Sequence, residues 1–382
     1  MVYLDNNATT PLDPAVAEKM SLFLKEHFGN PSSLYPIGRA VKDVLTQARE
    51  TIAQSLGAIR TEMFFTGSGT EADNFAIRGV MDAHPDKNEL IVSKIEHPAV
   101  IETANYLKKK GITVKYVPVD SYGTIDLDFL KNSISERTAL ISIMHANNEV
   151  GTIQPIEDVV NLAKDKGILV HTDAVQSFCK IDVDVKKLGV DLLSISAHKI
   201  NGPKGVGALF IKKGTPIYPL IYGGSQEREM RAGTENTSGI VGFGEAIRQI
   251  QEHRDADNRK VEYLASKLKK GIEENIPKVK FNGPEKNRIH GTLNFSFYGL
   301  EAEAILLSLA TKEIYVSTGS ACSEDTEEVS HVLNAIGLRP EEARGTLRIS
   351  LGRLNTEEDI DTFLDELPEI VHKLREISAI SI

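Results

Sequence analysis

Residues 63–72 read Met63-Phe64-Phe65-Thr66-Gly67-Ser68-Gly69-Thr70-Glu71-Ala72, an apolar run that passes through two glycines into a helical stretch. A strand that turns into a helix in this way leaves the first helical N–H groups free, and the helix dipole adds partial positive charge at the same end. Such a turn is an anion cradle, and the hydroxyls of Ser68 and Thr70 add donors. The same residues fit Gly-x-Gly-x-x-Ala, a dinucleotide fingerprint, and they also fit a tight turn with glycines for backbone reasons alone. Both readings stay open here. What the stretch does decide is the local unit of strand, glycine turn and helix, the building block of an α/β sheet.

Working outward, short β-branched and apolar runs fall at 63–66, 90–93, 114–117, 140–144, 169–172, 192–196 and 208–211. Most are continuous rather than alternating, as expected for strands covered by helices on both faces. Helical stretches fill the gaps, among them 70–82, 98–110 and 156–166, the last closed by Gly167. This alternation predicts a largely parallel sheet with its ligand site beyond the carboxyl ends of the strands. A polar helical stretch at 238–274 then leads to a second, α+β unit. That unit holds strands at 292–297 and 346–351, a helix from Glu301, a loop at 317–326 and a final helix from Thr356, where Asp359 gives a near capping box.

A chain of 382 residues is too long for one ordinary core, so two domains are expected. With 41% hydrophobic and 26% charged residues it is a normal globular mix, which excludes long disorder and fibrous repeats. Its 44 basic against 54 acidic residues, net −10, argue against a nucleic-acid partner. The start, Met1-Val2-Tyr3-Leu4-Asp5-Asn6-Asn7, has neither the basic nor the apolar region of a signal peptide. No stretch approaches the ~18 apolar residues that span a membrane. Two cysteines, Cys179 and Cys322, exclude a disulfide framework and a self-contained multi-cysteine metal site. A soluble, cytoplasmic protein is expected.

Several stretches carry chemistry. His171-Thr172-Asp173-Ala174-Val175-Gln176 ends an apolar strand, and Asp173 either presents a carboxylate at the sheet edge or caps the next helix. In Ser196-Ala197-His198-Lys199, a lysine follows a strand and enters a glycine-rich loop. There it can lose solvation and proton affinity, as an imine-forming lysine must. Ser317-Thr318-Gly319-Ser320-Ala321-Cys322-Ser323-Glu324-Asp325 surrounds a cysteine with small polar neighbours, so its thiol should be exposed and reactive, whereas Cys179 is read as structural. His97 and Asn148 follow two further strands, and Arg348 lies inside an apolar strand, where a guanidinium needs an anionic partner. The convergence of polar residues on four strand ends points to one site.

Together these residues resemble a family: the cysteine desulfurases of the NifS/IscS type, within the class V aminotransferases that use pyridoxal phosphate (PLP). The resemblance runs from Tyr3-Leu4-Asp5-Asn6-Asn7-Ala8-Thr9-Thr10-Pro11 to Ser350-Leu351-Gly352-Arg353. It includes Phe28-Gly29-Asn30-Pro31-Ser32-Ser33, Glu96-His97, Asn147-Asn148-Glu149-Val150-Gly151, Ala197-His198-Lys199, Arg231-Ala232-Gly233-Thr234 and Gly319-Ser320-Ala321-Cys322. The resemblance implies the PLP-dependent transferase fold of type I: a large domain, 14–258, with a seven-stranded mainly parallel sheet, and a small α+β domain from 1–13 and 259–382. The small domain would carry a mobile cysteine loop at 317–328.

By the same resemblance, Lys199 holds PLP and moves protons, Asp173 pairs with the pyridine nitrogen, and Gln176 bonds the ring hydroxyl oxygen with Asn148 beside it. His97 stacks on the ring; Gly69, Thr70, Ser196 and His198 hold the phosphate, and Thr234 reaches the phosphate in the partner subunit. Arg348, with Asn148, binds the substrate carboxylate. The implied reaction takes sulfur from L-cysteine, leaves a persulfide on Cys322 and releases alanine. Implied partners are a second copy of the chain and an iron–sulfur scaffold or other sulfur acceptor, with no resident metal, although Cys322 could transiently share a cluster with a scaffold. The runners-up are a selenocysteine lyase or another class V PLP aminotransferase. An NAD dehydrogenase would leave Lys199, Asp173 and Cys322 without roles, and a non-enzymatic sulfur carrier would not need Lys199.

Overall fold

Leu90, Ile91 and Val92 show why the central strands are apolar without alternation. Successive side chains of a strand leave on opposite faces. Ile91 joins one apolar cluster with Ile141, Val170, Leu193 and Ile195, while Leu90 and Val92 join another with Leu140, Leu192 and Leu209. Both faces are covered. The computed structural model describes residues 1–318 and 329–378.

The strands, in chain order, are β1 (Val2–Tyr3), β2 (Met63–Thr66), β3 (Glu89–Ser93), β4 (Thr113–Val117), β5 (Thr138–Ser142), β6 (Leu169–Asp173), β7 (Leu192–Ser196), β8 (Gly207–Ile211), β9 (Val279–Phe281), β10 (Thr292–Phe297), β11 (Ile314–Tyr315) and β12 (Thr346–Ser350). Seven of them form one sheet in the order β2-β8-β7-β6-β5-β3-β4, and these are the seven runs expected from the sequence. Only β8 runs against the rest. β5 begins earlier than its apolar run suggests, because Thr138 is buried and pairs with Glu89, a polar start that periodicity does not reveal.

The stretch read as a polar link is a single 39-residue helix, Thr237–Asn275. Its first part, through Ile250, packs into the core of the large sheet. From Leu264 it packs into a second core with Leu4, Leu293, Phe295, Leu347 and Phe363. A boundary between 258 and 259, which we propose, lies in the interval that serves neither core. The second core covers the antiparallel sheet β12-β10-β9, and β1 pairs with β11 beside it, so the N-terminal segment belongs to this unit. The final helix, Glu357–Ile377, starts at Thr356 with the capping box to Asp359 that the sequence suggested. Among the described residues, no helix is long and apolar enough to cross a membrane.

Candidate active site

The carboxyl ends of β2, β3, β6 and β7 open on a cavity of about 580 Å³. Ten of the expected site residues line it: Gly69, Thr70, His97, Asn148, Asp173, Gln176, Ser196, His198, Lys199 and Arg348. Two do not. Thr234 is exposed and away from this cavity, while Cys322 lies outside the described residues.

At the head of the helix Gly69–Ala83, Ser68 lines the cavity, where its O–H can still donate. Its Oγ caps the helix, accepting from the Glu71 N–H at 3.1 Å. A cap of this kind satisfies one orphan donor and so leaves the remaining N–H groups to an anion. Ser196 Oγ is buried with no hydrogen-bond partner among the described residues and lines the same corner. A Cβ at Gly69 would come within 2.8 Å of Val175 Cγ2, so glycine keeps this cradle open. Glu71 braces the turn from behind, taking the Gly67 N–H at 2.9 Å and the Arg231 Nε at 2.8 Å.

Asp173 presents its carboxylate at the sheet edge and does not cap a helix, because the residues after it form a turn and the next helix starts only at Val185. Its Oδ1 accepts from Val175 N at 2.9 Å, and its carboxylate lines the cavity. Burial raises its pKa to about 6, against the opposing pull of the Val175 N–H and Lys199. Two acids that the sequence reading passed over lie close by. Burial pushes Glu96 up to about 8 although Ser93 Oγ donates to it at 2.5 Å and Met144 N at 2.9 Å. Burial and the Asp173 charge hold Asp73 well above the usual carboxylate range. Neutral pH therefore leaves Glu96 protonated and Asp173 ionised, a division of roles set by environment. His171, bonded to Ser142 Oγ at 2.8 Å and Ser194 Oγ at 2.9 Å, is held neutral by burial, its pKa lowered to about 3.

His97 begins the helix Pro98–Lys109, and its Nδ1 accepts from Ala99 N at 3.1 Å. Burial first, then the charges of Lys199 and His331, lower its pKa to about 4. The ring is neutral, and the Nδ1 contact assigns its proton to Nε2. His198 is likewise pushed to about 4 by burial and neighbouring lysines.

Lys199 Nζ donates to the carbonyls of Asn7 at 2.5 Å and Ala8 at 2.7 Å. Gln176 Nε2 donates to the same Asn7 carbonyl at 2.9 Å. Arg348 is buried with its Nη2 on Asp5 Oδ1 at 2.8 Å and its Nη1 on the Asn148 carbonyl at 3.4 Å. Its Nε has no partner among the described residues. A buried guanidinium with an unused donor, at the wall of a cavity, can take a carboxylate. Sequence reading missed the role of the 5–8 segment, although the polar run Asp5-Asn6-Asn7 between apolar Leu4 and Ala8 was the available signal.

A model of the class-V aminotransferase family matches residues 2–363. A cysteine desulfurase IscS of Clostridium botulinum is 50% identical over 380 residues, 99% of this chain and 96% of that protein. One from Methanosarcina thermophila is 49% identical over 381 residues, covering 100% and 94%. Among solved structures, a NifS-like protein superposes with a TM-score of 0.92 at 43% identity, over 98% of this chain and 100% of that one.

Proposed function

This chain belongs to the class-V aminotransferase family and is a cysteine desulfurase that uses pyridoxal phosphate, and we propose that Lys199 carries the cofactor while Cys322 receives the sulfur. The observation that carries this reading is the convergence of Lys199, Asp173, the Gly69 cradle and Arg348 on one cavity.

The residues present fit the cofactor. The orphan Ser196 hydroxyl and the open helix head at Gly69 and Thr70 suit a phosphate, with His198 beside them. The buried Asp173 carboxylate calls for a cation, which a protonated pyridine nitrogen supplies. Gln176 and Asn148 flank Lys199, and neutral His97 forms the wall on which a ring would stack. Bound here, pyridoxal phosphate supplies an electron sink that lets the α-proton of an amino acid leave.

The chain's own residues do the rest. Arg348, at the cavity wall, grips the substrate carboxylate and orients the α-carbon. Lys199 Nζ would take the α-proton and hand it back. Asp5 holds the guanidinium so that it meets the substrate without rearranging. The Cys322 thiolate attacks the substrate sulfur, and the S–Cβ bond breaks with its electron pair going to Cβ. That carbon gains a proton and leaves as the methyl of alanine, while the sulfur stays on Cys322 as a persulfide. An iron–sulfur scaffold or another thiol acceptor then removes it, in the cytoplasm, where free thiols persist.

Purified enzyme given L-cysteine and a reductant should release alanine and sulfide in equal amounts; pyruvate in place of alanine would overturn the desulfurase assignment. Arg348→Lys should keep the bound-cofactor spectrum and lower kcat/KM by about 10²-fold, since lysine cannot make the paired contact. Unchanged turnover would move the carboxylate site elsewhere.

The active form is a homodimer on this reading. Leu24, Phe28, Leu34 and Ile37 are strongly exposed within a short stretch, Phe28 at 79% and Leu34 at 81%. An apolar patch of that kind marks an interface, and exposed Thr234 is then available to a neighbour's phosphate site. Sedimentation of a monomer at micromolar concentration would remove the dimer.

A further inference from the structure

Lys180 follows β6 by a short turn, four residues after Gln176, and its role is not explained by the machinery above. Its Nζ donates to Gln176 Oε1 at 2.9 Å and to Asn7 Oδ1 at 3.2 Å. Among the described residues it makes no salt bridge. An ammonium has donors only, so any amide it touches must turn its oxygen toward it. Both amides are thereby fixed. Asn7 Nδ2 is directed to the Asn148 carbonyl at 3.0 Å and Thr292 Oγ1 at 2.8 Å. Gln176 Nε2 is directed to the Asn7 carbonyl, and its second N–H is left for the cavity that Gln176 lines.

Lys180 itself does not line that cavity. It borders another one of about 560 Å³, with Cys179 and Arg254, which Lys199 also lines. It can reach the reacting centre only through its neighbours. We propose that Lys180 is a positioning residue: it locks the Gln176 amide with an N–H toward the cofactor and sets a positive charge behind that contact. This rests on the reading that Lys199 carries pyridoxal phosphate in the adjoining cavity.

The charge setting agrees. Burial first, then the charges of Lys199 and Arg348, lower the Lys180 pKa to about 7. The other ionisable groups tied electrostatically to the Lys180–Lys199 pair are Asp173 from β6, His97 at the head of its helix, His198 on the loop after β7, and Arg348 from β12. Only Asp173 among them is anionic. An anionic oxygen on the cofactor ring balances this cluster, and the Gln176 amide, polarised by Lys180, meets it. Flipping that amide would set N–H₂ against an ammonium, so the lock is electrostatic as well as steric.

The test compares wild type with Lys180→Met, Lys180→Arg, Gln176→Leu and the double variant Lys180→Met/Gln176→Leu. Cofactor-free proteins are titrated with pyridoxal phosphate, and the visible band of the loaded proteins is followed against pH. Lys180→Met should weaken cofactor binding about tenfold, the loss of one charge-assisted contact. It should also move the spectral midpoint to higher pH by about one unit, because a nearby cation is gone. Lys180→Arg should restore most of both. The double variant should bind no more weakly than Gln176→Leu alone, because residues acting through one contact are not additive. Should Lys180→Met fail to fold, Lys180→Gln is read in the same comparisons. A midpoint and affinity unchanged by losing Lys180, or two fully additive losses, would overturn the proposal. A wild type that shows no visible band with pyridoxal phosphate would instead overturn the reading of Lys199 on which it rests.

Discussion

Lys199→Ala should abolish turnover of L-cysteine, with a loss of about 10⁴-fold or more, since on the proposed assignment one side chain both holds the cofactor and moves the proton. The geometry explains why no other lysine can replace it. Its Nζ reaches the cavity from the turn after β7 and rests on the Asn7 and Ala8 carbonyls, within the wall that also carries Asp173 and Gln176. Lys180 is committed to Gln176 and Asn7 and does not line this cavity. Borohydride reduction of the loaded wild type followed by peptide mapping should place the pyridoxyl group on the peptide holding Lys199. The same group found on any other lysine would overturn the assignment, and Lys199→Ala should show no covalent adduct.

Much of this site was legible because strand ends carry local signatures. The Gly67–Thr70 turn, Asp173 after the 169–172 run and Lys199 after 192–196 each announce a polar group where an apolar strand stops, and a parallel sheet gathers such ends on one edge. The dinucleotide reading of the glycine turn failed for the same reason that it was weak: the turn specifies an anion, and only Lys199 and Asp173 say which cofactor carries it. What stayed hidden depends on contacts far apart in sequence. Arg348 meets Asp5 across 343 positions, and Lys199 meets Ala8 across 191. Neither partner has a local pattern that names the other. Glu96 and Asp73 were hidden differently, since their raised pKa values come from burial and from the charge of Asp173, which no spacing encodes. The capping role of Ser68 stayed hidden because a capping hydroxyl and a free one look alike in sequence.

Cys322→Ser should bind pyridoxal phosphate and L-cysteine normally yet yield neither alanine nor sulfide above background. Cofactor loading and substrate binding use Lys199, Asp173 and Arg348, none of which needs the thiol. Cys322 lies outside the described residues, but the chain on either side of it is tied to the walls of the cavity. Ser317 exchanges backbone hydrogen bonds with Arg348 at 3.1 and 2.7 Å, and Ser330 Oγ donates to Glu149 at 2.7 Å. The other cysteine is a poor substitute. Burial pushes the Cys179 thiol up to about 12, so it stays protonated, and a thiol is not the nucleophile that a thiolate is. An unperturbed thiol has a pKa near ~8.5. The thiolate fraction of Cys322 grows as pH rises toward that value, so wild-type activity should climb through mildly alkaline pH while Cys322→Ser stays flat. After wild type reacts with L-cysteine without an acceptor, mass analysis should find one added sulfur on the peptide holding Cys322 and none on that holding Cys179. A persulfide mapped to Cys179, or sulfide released at the wild-type rate by Cys322→Ser, would show that sulfur leaves cysteine by a route in which Cys322 takes no part.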